Sequence, residues 1–359
     1  MKVLMVHQGV ELYGSDRSFI SSVKAFYGAG YNIDVVLPGM GELNSIIGPM
    51  ANEVYIRPRG YIRKADIKKK PVATIFHLVL EIFNMVNLSR KYDVVYVNTV
   101  VCISSIFSLI FLAKRKGFIH VREIPTGISM MIFRLILRIS GASLIYNSVS
   151  TKNSFDLDGQ VVLNGVAMLK KVELLREKNS DGILKLLVIG RINSWKGQDF
   201  LLKTLASVDR KFELRIVGGV FSDQNHFLDE LKNIAFHNKI DVDFYDFCED
   251  TACHYEWSDY VIVPSKLPEP FGRVAVEAFS MAKPVVASAH GGLLEIINDG
   301  ENGYLFEPNN VNILRSVINA LPITHSVEYQ SLKENAFLSY LNNFSEEAYM
   351  QKLLKAINR

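Results

Sequence analysis

Cysteine is scarce in this chain: Cys102, Cys248 and Cys253 are the only three in 359 residues. Thiols so few and so scattered build no disulfide framework, and they fit a reducing, cytosolic setting. Cys248, Cys253 and His254 stand close together, but a metal site needs further ligands and no second cluster offers them, so no metal is expected. Neither sign of charge dominates. With 40 Lys and Arg against 37 Asp and Glu the formal net charge is +3, which makes no case for nucleic acid as a partner. No low-complexity tract and no repeat at solenoid spacing stands out. Residues 1–7 are apolar but short, and they run into a Gly/Ser/Asp loop instead of a cleavage site, so no signal peptide is expected. Long apolar runs are also missing. Residues 100–113 fall short of the ~20 a bilayer span needs, and residues 72–88 are interrupted by His77 and Glu81, so no transmembrane helix is expected either.

What is present suits a folded α/β protein. Its length allows two domains of ordinary size, and 49% of its residues are hydrophobic. Short apolar runs at 2–6, 31–37 and 92–97 alternate with longer helical stretches, and the same rhythm resumes at 184–189, 212–217, 240–247 and 260–263. That alternation predicts parallel, doubly wound sheets, which bind ligands at the carboxyl ends of their strands. Gly14 and Ser15, in the loop after the first strand, stand where a phosphate or an acceptor could sit. A lone glycine loop is a weak signal of it.

The most informative stretch is Pro264-Ser-Lys-Leu-Pro-Glu-Pro-Phe-Gly-Arg-Val-Ala-Val-Glu277. The strand at 260–263 stops at a proline, a loop holding Glu269 follows, and a helix starting near Phe271-Gly272 carries Glu277 roughly two turns in. Amides at a helix start lack intrahelical partners and face an electropositive dipole end, so they receive anions and polar oxygens. Two carboxylates there can each accept from hydroxyls of one polyhydroxylated ligand. Further upstream, Leu184–Gly197 reads as strand, glycine turn and loop, with Arg191 and Lys196 past the strand's end. A diphosphate calls for that pair: a forked guanidinium and a mobile point charge.

The string from Glu269 to Glu277 resembles the E-x7-E signature of the family 4 retaining glycosyltransferases (glycosyl transferases group 1). Pro284–Glu295 and Asp299–Phe306 continue the pattern, so the resemblance runs almost unbroken over residues 260–308. It implies the GT-B fold, two Rossmann-like doubly wound domains facing a cleft. The expected boundaries are 1–165 for an acceptor-side domain and 166–340 for a nucleotide-sugar-binding domain. A helix in 341–359 would pack back onto the first domain. Asn164-Gly-Val166 matches the family's segment at the domain junction, and Arg191 with Lys196 matches its G-R…K-G motif for the nucleotide diphosphate. Glu277 would bind ribose. Glu269 and the amides around Phe271 and Gly272 would hold the donor's hexose hydroxyls, Pro270 and Val274 would belong to the same donor site, and Phe247 would border the nucleobase. His120 would face the reacting sugar, whereas from the residues alone a His on an apolar strand is more often a core residue. Two departures stand out: Ser15 where a second glycine is usual, and Asp246 where glycine is common, which leaves the base open.

A second theme is cationic and apolar. Residues 57–70 contain seven Lys or Arg and one Asp, directly before the apolar-faced stretch 72–88, and residues 103–116 and 130–138 repeat the combination. Such a run is as well explained by a solvated loop. Beside amphipathic helices it also suits an anionic membrane surface. The expectation is therefore a cytoplasmic enzyme, peripheral on the inner face of the membrane. It would move a hexose from a nucleotide-diphospho-sugar, preferably UDP-linked, to a glycan or lipid-linked oligosaccharide in surface polysaccharide assembly, with retention and without cofactor or metal. A nucleotide-sugar epimerase, a GDP-mannose-dependent mannosyltransferase, a glycoside hydrolase and a non-catalytic nucleotide-sugar-binding module remain as alternatives.

Overall fold

A computed structural model describes residues 1–60, 71–112, 117–170, 182–220 and 225–358. The chain divides into two compact units, Met1–Gly165 with Glu346–Arg359, and Val166–Ser345.

In the first unit the strands are β1 (Lys2–Val6), β2 (Asn32–Leu37), β3 (Glu53–Ile56), β4 (Val94–Val97), β5 (Gly117–Val121), β6 (Ser143–Tyr146) and β7 (Gln160–Val161). They form one parallel sheet in the order β3-β2-β1-β4-β5-β6-β7. Its helices are α1 (Gly14–Gly28), α2 (Glu42–Ile47), α3 (Pro71–Ser89), α4 (Ile103–Leu109), α5 (Ile128–Ser140) and α6 (Val149–Phe155). The second unit contains β8 (Leu184–Ile189), α7 (Gln198–Leu205), β9 (Phe212–Val217), α8 (Asn225–His237), β10 (Val242–Tyr245), α9 (Ala252–Trp257), β11 (Tyr260–Val263), α10 (Arg273–Ser280), β12 (Val285–Ser288), β13 (Gly303–Phe306), α11 (Val311–Ala320) and α12 (Val327–Ser339). Its sheet, also parallel, runs β10-β9-β8-β11-β12-β13. A last helix, α13 (Glu346–Ile357), belongs to the first unit.

The strands are apolar runs because both faces of each sheet are covered. Along β1, Val3 and Met5 pack under α1, α2 and α13, against Phe19, Phe26, Leu43, Tyr349 and Leu353. Leu4 and Val6 point the other way, to Met85 of α3, Ile106 of α4 and Ile136 of α5. The 3.6-residue spacing of Phe19, Val23 and Phe26 gives α1 its inward stripe, and Gly30, at φ +77°, follows its end.

Order reverses between β1 and β4 in one sheet and between β8 and β11 in the other. Those reversals open crevices at the strands' carboxyl ends. The chain enters and leaves the second unit at adjacent points, where Val166 N donates to Phe344 O at 2.9 Å.

The expectation of no helix fit to cross a membrane needs correction. Val72–Ser89 has the length and apolarity for it, with mean hydropathy 1.5. One carboxylate does not break so long a window, and Glu81 is turned inward and buried, 3.9 Å from Arg57 Nε. The same segment packs on α4 and contributes to the first unit's core. Most of the basic run at 57–70, from residue 61 on, lies outside the described residues.

Candidate functional site

In the second unit, two loops meet over the β8/β11 crevice. The loop after β8 carries Arg191 and Lys196, and the loop after β11 carries Glu269. They are pressed together backbone to backbone: a Cβ on Gly197 would lie 1.9 Å from Pro264 O, and Gly197 sits at φ +77°. Lys266 N also donates to Trp195 O at 2.7 Å. Only glycine tolerates both the conformation and the approach. The result is a direct ion pair, Lys196 Nζ to Glu269 Oε1 at 2.6 Å. Ser265 Oγ donates to the same oxygen at 2.6 Å, and the Lys196 ammonium rests 4.5 Å from the centre of the Trp195 ring.

The loop then turns into α10. Gly272, at φ +106°, caps the helix, and Arg273 is its first residue. Glu277 therefore stands about one turn in, not two. It is buried, with Oε1 accepting from Arg273 Nε at 2.8 Å and Oε2 from Tyr255 OH at 3.0 Å. The Phe271 ring packs edge-on against Phe344 inside the unit, so it offers a ligand its backbone and not its face. Pro270 and Val274 are half-buried beside it. Gly291 and Gly292 brace this loop from the far side. Cβ atoms there would fall 2.4 Å from Glu269 O and 2.4 Å from Phe271 O, and Gly292 N donates to Glu269 O at 2.8 Å.

The neighbouring strand ends are equally tight. Gly190 (φ +146°) and Gly218 (φ +158°) lie against each other, a Cβ on the latter meeting Gly190 O at 2.0 Å. Phe247, 56% exposed, has its Cβ 3.2 Å from where a Cβ on Gly219 would lie. Arg191, Lys196, Phe247, Glu269 and Glu277 thus all belong to the carboxyl edge of one sheet. Sequence reasoning misses Tyr255 and gives no role to Ser265, Arg273, Gly291 and Gly292, which all lie inside the motif stretches.

Gly14, Ser15 and His120 lie in the first unit. Gly14 opens α1 and is exposed, with Ser15 half-buried after it. Asp16 holds that helix start in place: Oδ2 accepts from Tyr13 N at 3.0 Å, and Oδ1 lies 2.7 Å from His7 Nε2. His120 is corrected by the structure. As a member of β5 it has no exposed surface, so it faces core and not an open site. Its Nδ1 lies 2.6 Å from Tyr96 OH and 3.2 Å from Arg122 Nη2, and Nε2 has no partner among the described residues. Burial, with the Arg122 charge beside it, holds the ring well below the ordinary histidine range. Arg122 is the hub of this interior. Its guanidinium reaches Asn98 Oδ1, Asn164 Oδ1, Ser22 Oγ, Tyr96 OH and Tyr349 OH. Next to it, burial pushes the Glu123 carboxyl up to about 7.

Among the described residues no group of three or more His, Cys, Asp or Glu is placed to hold a metal ion. Cys248 Sγ donates to Asp250 O instead.

Residues 173–337, all within the second unit, match the family model described as Glycosyl transferases group 1. Among curated relatives, a 41.2 kDa protein of the cps region of Klebsiella pneumoniae is 27% identical over 201 residues, 56% of this chain and 50% of that one. An uncharacterized glycosyltransferase of Methanocaldococcus jannaschii is 31% identical over 173 residues, 48% of this chain and 46% of its own. The chain thus spans about half the length of the curated relatives it matches. Among solved structures, HepE of Anabaena in complex with UDP aligns over 100% of both chains at TM-score 0.81 and 22% identity. The same protein in complex with UDP-glucose covers 100% of this chain and 99% of that one at TM-score 0.79 and 22% identity. The fold of the two parallel-sheet units is that of the GT-B glycosyltransferases.

Proposed function

We propose that this protein is a glycosyltransferase that moves a hexose from a nucleotide-diphospho-sugar to a glycan or lipid-linked glycan, with retention at the anomeric carbon and without a metal. The observation that supports it most is the Lys196–Glu269 pair over the β8/β11 crevice: a cation suited to diphosphate bonded to a carboxylate suited to sugar hydroxyls. In this reading Arg191 and Lys196 stabilise the charge that develops on the departing diphosphate, the kind of interaction from which catalysis gains most. Glu277 binds ribose hydroxyls, Glu269 and the amides at Phe271 and Gly272 hold the hexose, and Phe247 borders the base. The departing phosphate takes the acceptor's proton on the face it leaves, which gives retention. His120, being buried, is left out of this scheme. UDP is the preferred nucleotide, in keeping with the UDP and UDP-glucose complexes of HepE, and the cps-region relative supports a place in bacterial surface polysaccharide assembly.

The test is a thermal-shift panel of UDP, GDP, ADP and their sugar conjugates. Ligand at a hundred times its dissociation constant stabilises by about 2.7 kcal/mol. No shift with any of them would return the site to the hydrolase alternative and would exclude the nucleotide-sugar-binding module as well. Incubation with donor alone separates an epimerase, which interconverts the free sugar nucleotide, from a transferase, which needs an acceptor.

The reading extends to location, at the inner face of the cytoplasmic membrane. On the first unit α4 packs against both α3 and α5; α3 exposes Val72, Phe76 and Phe83, α5 exposes Met131 and Leu135, and Phe111 is exposed just past the end of α4. Apolar patches of this kind mark interaction surfaces. In residues 71–90, 103–112 and 126–142 Glu81 is the only acid, and it is buried, while Arg90 and Arg138 are exposed. An anionic bilayer suits that pattern. Because the back of α3 is part of the core, the helix would lie in the interface instead of crossing it. Failure of the protein to sediment with phosphatidylglycerol vesicles at low salt would sink this proposal.

A further inference from the structure

We propose that the Lys196–Glu269 ion pair makes the site select a nucleotide sugar over the bare nucleotide diphosphate, so that loss of the sugar is itself the signal for release. The inference rests on the donor-site assignment above and assigns Glu269 a second task, that of excluding the product.

Lys196 and Glu269 stand on loops locked together at Gly197 and Pro264 and at Trp195 and Lys266. Their backbones cannot drift apart, so the pair opens only by side-chain rotation. Glu269 Oε1 has two side-chain partners among the described residues, Lys196 Nζ and Ser265 Oγ, each at 2.6 Å. The carboxylate is also buried, its side chain 10% exposed. A diphosphate that recruits Lys196 withdraws the stronger partner from a buried anion and brings further negative charge close to it. Removing one partner of a buried pair is far costlier than its exposed counterpart. A sugar nucleotide repairs the loss, because hexose hydroxyls donate to Glu269 as Lys196 turns to phosphate. A bare diphosphate leaves Glu269 Oε1 with Ser265 as its one side-chain hydrogen-bond partner among the described residues. Binding therefore exchanges partners evenly with the sugar present and unevenly once it has been transferred.

Calorimetric titration of UDP against UDP-glucose, and GDP against GDP-mannose, on wild type, Glu269→Gln and Ser265→Ala tests this. Glutamine leaves no buried anion behind, so Glu269→Gln should bind the bare nucleotide more tightly, by about tenfold, and the sugar nucleotide no more tightly than wild type. The preference for the sugar form should fall at least about tenfold. Ser265→Ala, which keeps the anion and removes its remaining partner, should move the other way and weaken the bare nucleotide by about threefold. A preference within twofold of wild type in both variants, with binding retained, overturns the exchange and leaves the donor site standing. Absence of binding by any of the four ligands to wild type overturns the donor site and the exchange together.

Discussion

Two sheet edges in this molecule occupy the same topological position and hold similar side chains, yet they differ in almost every physical respect. At the β1/β4 edge of the first unit, Arg122 is buried and surrounded by neutral oxygens of Asn98, Asn164, Ser22, Tyr96 and Tyr349. At the β8/β11 edge of the second, Lys196 keeps 18% of its side chain exposed and is paired with a carboxylate. The first cation joins α1, β4, β5 and α13 and serves packing. The second sits on glycine-shaped loops and can exchange its partner. A doubly wound sheet supplies the crevice in both cases, and the side chains decide whether it closes into core or stays available for chemistry.

The sharpest way to break that comparison is to remove each cation in turn. Arg122→Met should strand several buried hydrogen-bonding groups and destabilise the first unit by about 3–5 kcal/mol, read as faster amide exchange in β1, β4 and β5 at moderate urea. A loss below about 1 kcal/mol would show that the hub is dispensable. Lys196→Met should invert the balance. Its stability cost should be smaller, about 2–3 kcal/mol, since one pair is lost instead of a network, Lys196 is partly exposed and Ser265 still donates to the stranded Glu269. Turnover should fall by roughly 10²–10³, more than donor affinity, because charge grows on the leaving group in the transition state. An intact kcat would refute the leaving-group assignment. Between these lies Glu277→Ala, which should raise the donor's Kd by roughly tenfold with a smaller change in kcat; the measure is a kcat and KM split under saturating acceptor.

The same contrast explains what could be read from the sequence. The sheets were legible because doubly covered strands must be apolar runs, and 260–263 and 94–97 could be little else. The second unit's edge was legible because its chemistry is written locally: Glu269, Phe271, Gly272 and Glu277 fall within nine residues. The partnership of Lys196 with Glu269 was not, since it arises from two loops 73 positions apart. Nor was the one-turn offset of Glu277, which depends on Gly272 adopting a positive φ as the cap. His120 was misjudged for a related reason. Period-two alternation cannot tell a strand buried on one face from one buried on both, and Arg122 two residues on showed nothing in sequence of the 227-residue reach to Tyr349 that seals the ring inside. The apolar stretch of α3 was discounted over Glu81, whose inward turn only the packing reveals.

The smallest expected effect concerns protons in the first unit's interior. Burial lowers His120 and His7 below their ordinary 6.5, so the unfolded chain takes up protons that the folded one refuses. Their contribution to stability is complete above about 6.5 and is lost as the pH falls below it. Glu123 acts in the opposite sense. Folded, its carboxyl keeps its proton to about 7, against 4.5 when unfolded, so it makes stability decline as the pH rises across that interval. Two histidines outweigh one carboxyl, and the unit should weaken on the acid side. His120→Gln should flatten the acid limb between pH 6.5 and 5 by about 1 kcal/mol per pH unit, the slope of a single proton. Glu123→Gln should leave stability at pH 4 unchanged and raise it at pH 8, relative to wild type. Unfolding midpoints in urea at those pH values, followed through β5, measure both. If His120→Gln left the acid limb as steep as before, the ring would be charged inside the fold, and the picture of a closed, neutral interior around Arg122 would fail with it.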